Sequence, residues 1–240
     1  MRPPDPSQSE VPVLANAELA AIYYGQRKGG DFYDFVRVSS KRVLFGLLDV
    51  AGRLEDNRAI IAAAQHTFRT QGAALLADDG VNEAEAMVEL YLRLNRAILE
   101  AEGGVRASTG IAGCYNEELG VVCYFNAGHT PGLARSEAGV SELAATGLPL
   151  GLFSHATCDA GMLALEPRGV LLIVSRGIVE ARRRSDEFGL SRVKDNLLKN
   201  RGNTAKQYCV SVINEVQEFM KTPPTHNDVT ALSLLRGAAS

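Results

Sequence analysis

Acidic residues and glycines stand together at the ends of several apolar segments of this sequence. The clearest strings are GGDFYD at 29–34, DVAG at 49–52, NAGH at 126–129 and NDVT at 227–230. Strands that end in aspartate bring carboxylates to one edge of a sheet, where they can hold a hard cation such as Mg²⁺ or Mn²⁺. Aspartate and glycine also form turns, so the pattern by itself leaves a metal site and ordinary turns as alternatives.

Hydrophobic patterning predicts the strands that must position these residues. Segments rich in β-branched and aromatic residues favour strands over 17–24 and 32–38. A turn at 39–41 returns the chain into a nearly continuous apolar run over 42–49, which indicates a strand buried on both faces. A second hairpin and further short strands are predicted over 107–115, 120–126, 133–135, 139–143, 158–164, 169–175 and 230–235.

Helices are predicted between these groups of strands. One begins with Asp56 as its cap and ends at Gly72, and another begins at Asn82, where Glu85 completes the spacing of a capping box. Two more are expected over 191–199 and 204–221. This order of elements favours an α+β layered sandwich over alternating βαβ units. We expect a single domain over 13–236, after a disordered, proline-rich lead-in over 1–12.

Composition excludes some classes of function and indicates a compartment. The chain has 240 residues and a net charge of −3, so it lacks the basic excess of a general nucleic-acid binder. Tryptophan is absent, which argues against an aromatic platform for single strands. The apolar runs are too short for a membrane span, and the first residues are not expected to act as a signal peptide. The cysteines show no CxxC spacing, so buried free thiols in a cytoplasmic protein are expected.

Several segments, in order, resemble one protein family. GGDFYD and DVAG are similar to the GGDxYD and DVxGHG motifs of the SpoIIE-like branch of the metal-dependent protein phosphatases (PPM, type 2C). Further segments that resemble this family are LAAIYYGQRKGGDFYD, FNAGHTPGLA, TGLPLGLF, LLIVSRGIVEA followed by DEFGLSRV, and HNDVTALSLL. The resemblance extends from about Val13 to Arg236, which is nearly the whole chain.

The resemblance implies a fold, a cofactor and a set of site residues. The family's fold is a four-layer α-β-β-α sandwich of two antiparallel sheets flanked by helices. Two Mn²⁺ or Mg²⁺ ions activate water against phosphoserine or phosphothreonine. By motif, Asp49 would bridge the metals and the carbonyl of Val50 would add a contact. Asp228 would hold one metal and Asp31 would be a direct or water-mediated ligand, which makes Asp31, Asp49 and Asp228 the expected catalytic acids. His129 is expected to be structural.

One metal acid of the family is replaced in this chain. The aspartate of the family's TDG segment falls on Arg176, with smaller departures at 53–54 and 227. A guanidinium stays protonated and repels a cation at close range, so the replacement predicts an impaired or empty metal site. Two interpretations stay open. Either Arg176 points away and a weakened phosphatase keeps at least one metal, or Arg176 pairs with Asp49 and Asp228 in place of the cation.

Two functions of different classes follow from these residues. One is a Mn²⁺- or Mg²⁺-dependent protein phosphatase in bacterial regulatory signalling, and the other is a pseudophosphatase that binds a partner without hydrolysis and with no metal. The resemblance implies a phosphorylated regulatory protein of the anti-sigma-antagonist type as partner, and a homodimer is a further option. The basic run Arg182-Arg183-Arg184 is either a solvated loop or a patch for an acidic or phosphorylated partner surface.

Overall fold

The computed structural model describes residues 10–25, 30–50, 55–101, 107–221 and 228–238. The chain divides into two compact units, each with its own antiparallel sheet and helices. The first unit comprises Met1–Pro12, Gly30–His129 and Ala145–Ala164, and the second comprises Val13–Gly29, Thr130–Ala144 and Leu165–Ser240. The predicted α+β class with two antiparallel sheets and helices is confirmed. The lead-in over 1–12 lies largely outside the described residues, and the single domain over 13–236 stays a prediction.

Strands and helices alternate in blocks along the chain. The strands are β1 (Ala17–Tyr24), β2 (Asp31–Arg37), β3 (Arg42–Val50), β4 (Ser108–Asn116), β5 (Val121–Ala127), β6 (Gly132–Ser136), β7 (Gly139–Leu143), β8 (Gly161–Ala164), β9 (Val170–Val174), β10 (Arg182–Arg183), β11 (Asp186–Glu187) and β12 (Val229–Arg236). The helices are α1 (Arg58–Thr67), α2 (Ala73–Leu76), α3 (Glu83–Glu100), α4 (Arg176–Val179), α5 (Gly189–Lys199) and α6 (Ala205–Met220). A π-helical segment, Phe68–Gly72, joins α1 to α2.

The first unit is built on the strand order β2-β3-β4-β5-β8, with every neighbouring pair antiparallel. Every residue of β3 is buried, as its continuous apolar sequence predicts. The helices α1 to α3 pack their apolar stripes against this sheet, and Leu90, Tyr91 and Phe125 lie at the centre of the core. Among the described residues β2 pairs with β3 alone, so β2 forms one edge of the sheet.

The second unit is built on the strand order β1-β12-β9-β6-β7, again antiparallel throughout. Helix α6 packs across this sheet through Tyr208, Val212 and Val216, which are all buried. Thr204 caps α6 in a complete capping box with Gln207. The strands β10 and β11 form a separate small hairpin between α4 and α5.

The elements match the sequence-based expectation in type, with differences at their ends. Asn82 caps α3 as predicted, because its side chain accepts from the N–H groups of Ala84 and Glu85. The expected cap at Asp56 is wrong, since α1 begins at Arg58 after Asn57. Gly72 does not end that helix. A Cβ at Gly72 would lie 2.7 Å from Leu44 Cδ2, so this glycine permits close packing within a helix that continues.

The described residues include all four cysteines. All four cysteines are free; Cys114, Cys123 and Cys209 are buried and Cys158 is half-buried. Within the described part of the chain, no helix is long and apolar enough to cross a membrane.

Candidate functional site

Two of the predicted acids face each other across the β2–β3 hairpin. Asp31 is the first residue of β2 and pairs directly with Asp49 near the end of β3. Directly opposite residues of an antiparallel pair point to the same face, with Cβ atoms about 5 Å apart. This is the face opposite to Phe32 and Val50, which belong to the core under the helices. Because like charges in this position repel, a cation held between them would stabilise the hairpin.

The Val50 carbonyl supplies a third oxygen at this end of the hairpin. Val50 donates its N–H to the Gly30 carbonyl at 3.3 Å, which closes the hairpin beyond the pair Asp31–Asp49. A Cβ placed on Gly30 would lie 2.1 Å from the Val50 carbonyl oxygen. Glycine is therefore required at position 30, because any larger residue would push against that oxygen.

The third predicted acid, Asp228, lies in the second unit immediately before β12. Asp228 is buried, and its carboxylate accepts a short hydrogen bond from the phenol of Tyr23 in β1. Gly25 approaches the same carboxylate, since its Cβ would lie 3.7 Å from Asp228 Oδ1. Its φ of +147° is also one that side chains rarely adopt. Tyr23 is a candidate site residue that the sequence did not indicate, because the β1–β12 pairing joins positions far apart in the chain.

Ser175, at the altered TDG segment, is hydrogen-bonded beside Asp228, and Arg176 follows it in the chain. The Ser175 hydroxyl donates to the Asp228 carbonyl at 3.2 Å and accepts from the Thr230 N–H at 3.0 Å. Ser175 N–H donates to the Thr230 carbonyl at 2.8 Å. Arg176 begins α4, with its Nε 3.8 Å from Glu180 Oε1 and its side chain 46% exposed. This ion pair joins Arg176 to the residue that follows the last residue of α4.

His129 lies in a turn after β5, and several other motif positions lie outside the described residues. His129 is buried, and its backbone N–H donates to the Asn126 side chain at 2.8 Å. Gly128 between them has φ +68°, a turn conformation suited to glycine. Gly29 and Asn227, together with the departure at 53–54, lie outside the described residues.

The second aspartate of GGDFYD makes an ion pair that the sequence did not predict. Asp34 is fully buried on the face of β2 opposite to Asp31. Arg69 of the π-helical segment donates to both of its oxygens, at 2.5 and 2.8 Å. The hydrogen bond with Asp34 raises the pKa of the Arg69 guanidinium further above its ordinary value. The strand that carries Asp31 is therefore bound to the helical layer by a bidentate pair.

The residues of the first unit fit a hard divalent cation. Asp31, Asp49 and the Val50 carbonyl offer oxygen only, which is the donor set that Mg²⁺ and Mn²⁺ prefer. Because Gly30 has no Cβ, no side chain at position 30 covers the Val50 carbonyl oxygen. Within the described ranges, no group of three or more His, Cys, Asp or Glu side chains is arranged to hold a metal. The fit therefore depends on a carboxylate pair and a backbone oxygen.

Comparison with known proteins assigns the family. The model of the family "Stage II sporulation protein E (SpoIIE)" matches residues 39–236. The chain belongs to the SpoIIE family. Its two antiparallel sheets with helices share the fold of a solved PP2C phosphatase domain.

Three similar proteins are longer than this chain. The chain is 25% identical over 172 residues to phosphoserine phosphatase RsbP of Bacillus subtilis (strain 168), covering 70% of this chain and 41% of RsbP. The solved RsbU and RsbW domains of Rv1364c from Mycobacterium tuberculosis match with TM-score 0.78 and 23% identity, over 96% of this chain and 64% of that one. The PP2C phosphatase domain of SpoIIE from Bacillus subtilis matches with TM-score 0.72 and 18% identity, over 92% and 63%.

Proposed function

We propose that this chain is a Mn²⁺- or Mg²⁺-dependent phosphoserine and phosphothreonine protein phosphatase domain whose metal site is weakened by Arg176. Its substrate would be a phosphorylated bacterial regulatory protein of the anti-sigma-antagonist type in the cytoplasm. RsbP, which is named a phosphoserine phosphatase, and the RsbU and RsbW domains of Rv1364c support this assignment by similarity.

The observation that carries the proposal is the pairing of Asp31 with Asp49 beside the Val50 carbonyl. Two carboxylates placed directly opposite each other on a sheet repel, and a divalent cation bound between them would offset that repulsion. The SpoIIE family membership supplies a reason for that arrangement, since oxygen ligands in this motif are what the resemblance implies for metal binding.

Some residues of this chain would bind a cation, and others would orient the residues that bind it. A bound divalent cation supplies Lewis acidity toward a phosphoryl oxygen and lowers the pKa of water. Asp49 and Asp31 would hold the cation with their carboxylates, with the Val50 carbonyl as a neutral third oxygen. Tyr23 would orient the Asp228 carboxylate, because its hydroxyl donates a hydrogen bond to Oδ1. The other carboxylate oxygen, Oδ2, would then be the one that binds a metal.

A specific observation favours the second candidate, a pseudophosphatase that binds a partner without hydrolysis. Arg176 stands where the family has a metal acid, and Ser175 is hydrogen-bonded to the backbone beside Asp228. A fixed positive charge there lowers the affinity for a cation by Coulomb repulsion. Arg176 also contacts Glu180, with its Nε 3.8 Å from Glu180 Oε1.

The deciding experiment compares Mn²⁺ binding by calorimetry and p-nitrophenyl phosphate turnover for the unmodified chain, Arg176→Asp and Arg176→Ala. We expect weak Mn²⁺ binding by the unmodified chain, tighter binding in Arg176→Ala because a repulsive charge is gone, and the tightest binding in Arg176→Asp. Turnover should rise in the same order.

Two controls make the result specific to the site. Arg96→Asp changes the same charge at an exposed position of α3 and should leave Mn²⁺ affinity unchanged. Asp49→Asn should abolish binding in every background. Stoichiometric tight binding by the unmodified chain would show an ordinary phosphatase site, and no turnover in Arg176→Asp despite bound Mn²⁺ would favour the pseudophosphatase.

A further inference from the structure

The arginine run of the sequence forms a hairpin in the second unit. Arg182 pairs with Glu187 and Arg183 pairs with Asp186 across β10 and β11, with Arg184 and Ser185 at the turn. Arg184 has φ +59°, a left-handed conformation that costs a non-glycine residue about 1 kcal/mol or more. The turn therefore holds an arginine at a position where glycine or asparagine would be less strained.

The base of this hairpin is fixed to the core. Phe188 donates its N–H to the Ala181 carbonyl at 2.8 Å, is buried, and packs edge-on against Phe219 of α6 with ring centroids 5.5 Å apart. Arg192 of α5 donates to the carbonyls of Glu187 and Phe188 at 2.5 and 2.9 Å, and its guanidinium lies 4.9 Å from the Phe219 ring centroid. The hairpin is thus presented on a rigid base.

The acids of the hairpin are already occupied. Arg182 pairs with Glu187 at 3.3 Å, and Arg192 pairs with Asp186 at 3.0 Å. Arg183 lies opposite Asp186 in the strand ladder, but among the residues that the structure describes neither Arg183 nor Arg184 makes a side-chain salt bridge, and both are exposed. Two guanidiniums at the tip therefore remain available, in a chain whose net charge is −3.

We propose that Arg183 and Arg184 at the tip of the β10–β11 hairpin form a docking point for an acidic segment of a partner protein. Two adjacent guanidiniums bind carboxylates by charged, bidentate hydrogen bonds. Their ordered base lowers the entropy cost of binding, because the backbone that carries them is fixed before the partner arrives. The partner segment is expected to be acidic because the two guanidiniums at the hairpin tip are positively charged.

The hairpin also lies close in the chain to the candidate site. Six residues separate Ser175, which is hydrogen-bonded beside Asp228, from Arg182. Because α4 occupies four of the intervening positions, this path spans about 16 Å at most. An acidic segment docked at the tip therefore lies within reach of the Asp228 region, and this docking does not depend on turnover or on a bound metal.

The test measures binding of a fluorescent peptide of alternating glutamate and serine by anisotropy. The comparison peptides replace glutamate by glutamine, with and without one phosphoserine. We expect the unmodified chain to prefer the glutamate peptide, and Arg183→Glu/Arg184→Glu to weaken that binding by about tenfold or more. Arg183→Lys/Arg184→Lys should keep part of the affinity, and raised salt should weaken it.

The matched control reverses two exposed arginines of the first unit, Arg58→Glu/Arg96→Glu, which changes the net charge by the same amount. Thermal melts establish that each variant is folded, and Arg183→Gln/Arg184→Gln provides a milder second variant. The proposal is overturned if the hairpin variants bind as the unmodified chain does, or if the control loses as much affinity. It is also overturned if only the phosphoserine peptide binds, or if the glutamate and glutamine peptides bind equally.

Discussion

Replacing Arg69 by methionine should destabilise the protein much more than a surface ion-pair loss would. Arg69 donates two hydrogen bonds to Asp34, whose side chain is fully buried. Methionine keeps the length and helix propensity of the arginine stem while removing the charge. The change therefore leaves a buried carboxylate without its counter-charge, and the Phe35 N–H, which donates at 2.9 Å, only partly offsets that loss.

The magnitude follows from the exposure of the two partners. Breaking a fully buried pair costs about 3–5 kcal/mol. The Arg69 side chain is 41% exposed, so water can reach the space it leaves. We therefore expect a loss of about 2–3 kcal/mol in the free energy of unfolding.

The matched control is Arg93→Met on α3. Arg93 is 39% exposed, nearly the same as Arg69, and it pairs with Glu89 at 2.7 Å. Its acid is 45% exposed, so that the two pairs differ chiefly in burial of the carboxylate. An exposed helical pair of this kind is worth about 0.3–0.5 kcal/mol.

Urea unfolding of both variants, followed by circular dichroism, measures the difference in their free energies of unfolding. The comparison requires that both variants have the same dependence of this free energy on urea concentration. Asp34→Asn/Arg69→Met should recover part of the loss, because the stranded charge is then gone. If Arg69→Met and Arg93→Met differ by less than about 0.5 kcal/mol, burial of Asp34 does not control the energy of the pair.

Three further predictions concern the candidate site and the core. Gly30→Ala should lower stability by about 1–3 kcal/mol and abolish Mn²⁺ binding in calorimetry, because its Cβ would lie 2.1 Å from a backbone carbonyl oxygen. Burial raises the pKa of Cys123 to about 11, so the folded thiol keeps a proton that the unfolded thiol loses near pH 9. The urea midpoint should therefore fall as pH rises from about 9 to about 11, and this fall should be smaller in Cys123→Ala. Tyr23→Phe removes a donor to Asp228 and should cost about 1–2 kcal/mol in urea unfolding, whereas Tyr24→Phe should change little.

The elements that sequence predicts well are those with strong local patterns. The apolar run that forms β3, the capping residue Asn82 and the stripe of α6 each specify their structure within one segment. The short elements α4 and β10–β11 were not predicted, since four or six residues carry little periodicity. The strand predicted over 158–164 is confirmed only from Gly161, where pairing with β5 begins.

The motifs of the sequence indicated the acids of the candidate site but not the residues that contact them. Asp31 and Asp49 meet because a hairpin places them opposite each other, which the positions of the strands and turn already indicated. The partners Tyr23 and Arg69 depend on pairing between distant segments, so no local pattern indicates them. The metal-binding roles of Asp31, Asp49 and Asp228 stay predictions until the Arg176 variants are measured.

The edge position of β2 has a consequence for how the candidate site would respond to solvent. An edge strand can detach from its single neighbour without unfolding the rest of the sheet, and such local opening exposes its amides to hydrogen exchange. Detachment of β2 would separate Asp31 from Asp49, so the affinity for a cation includes the free energy of keeping this strand in place. The ion pair Asp34–Arg69 raises that opening free energy from the opposite face. Amide exchange along β2 is thus a direct readout of site occupancy, and added Mn²⁺ should slow exchange there before it does so in β4 or β5.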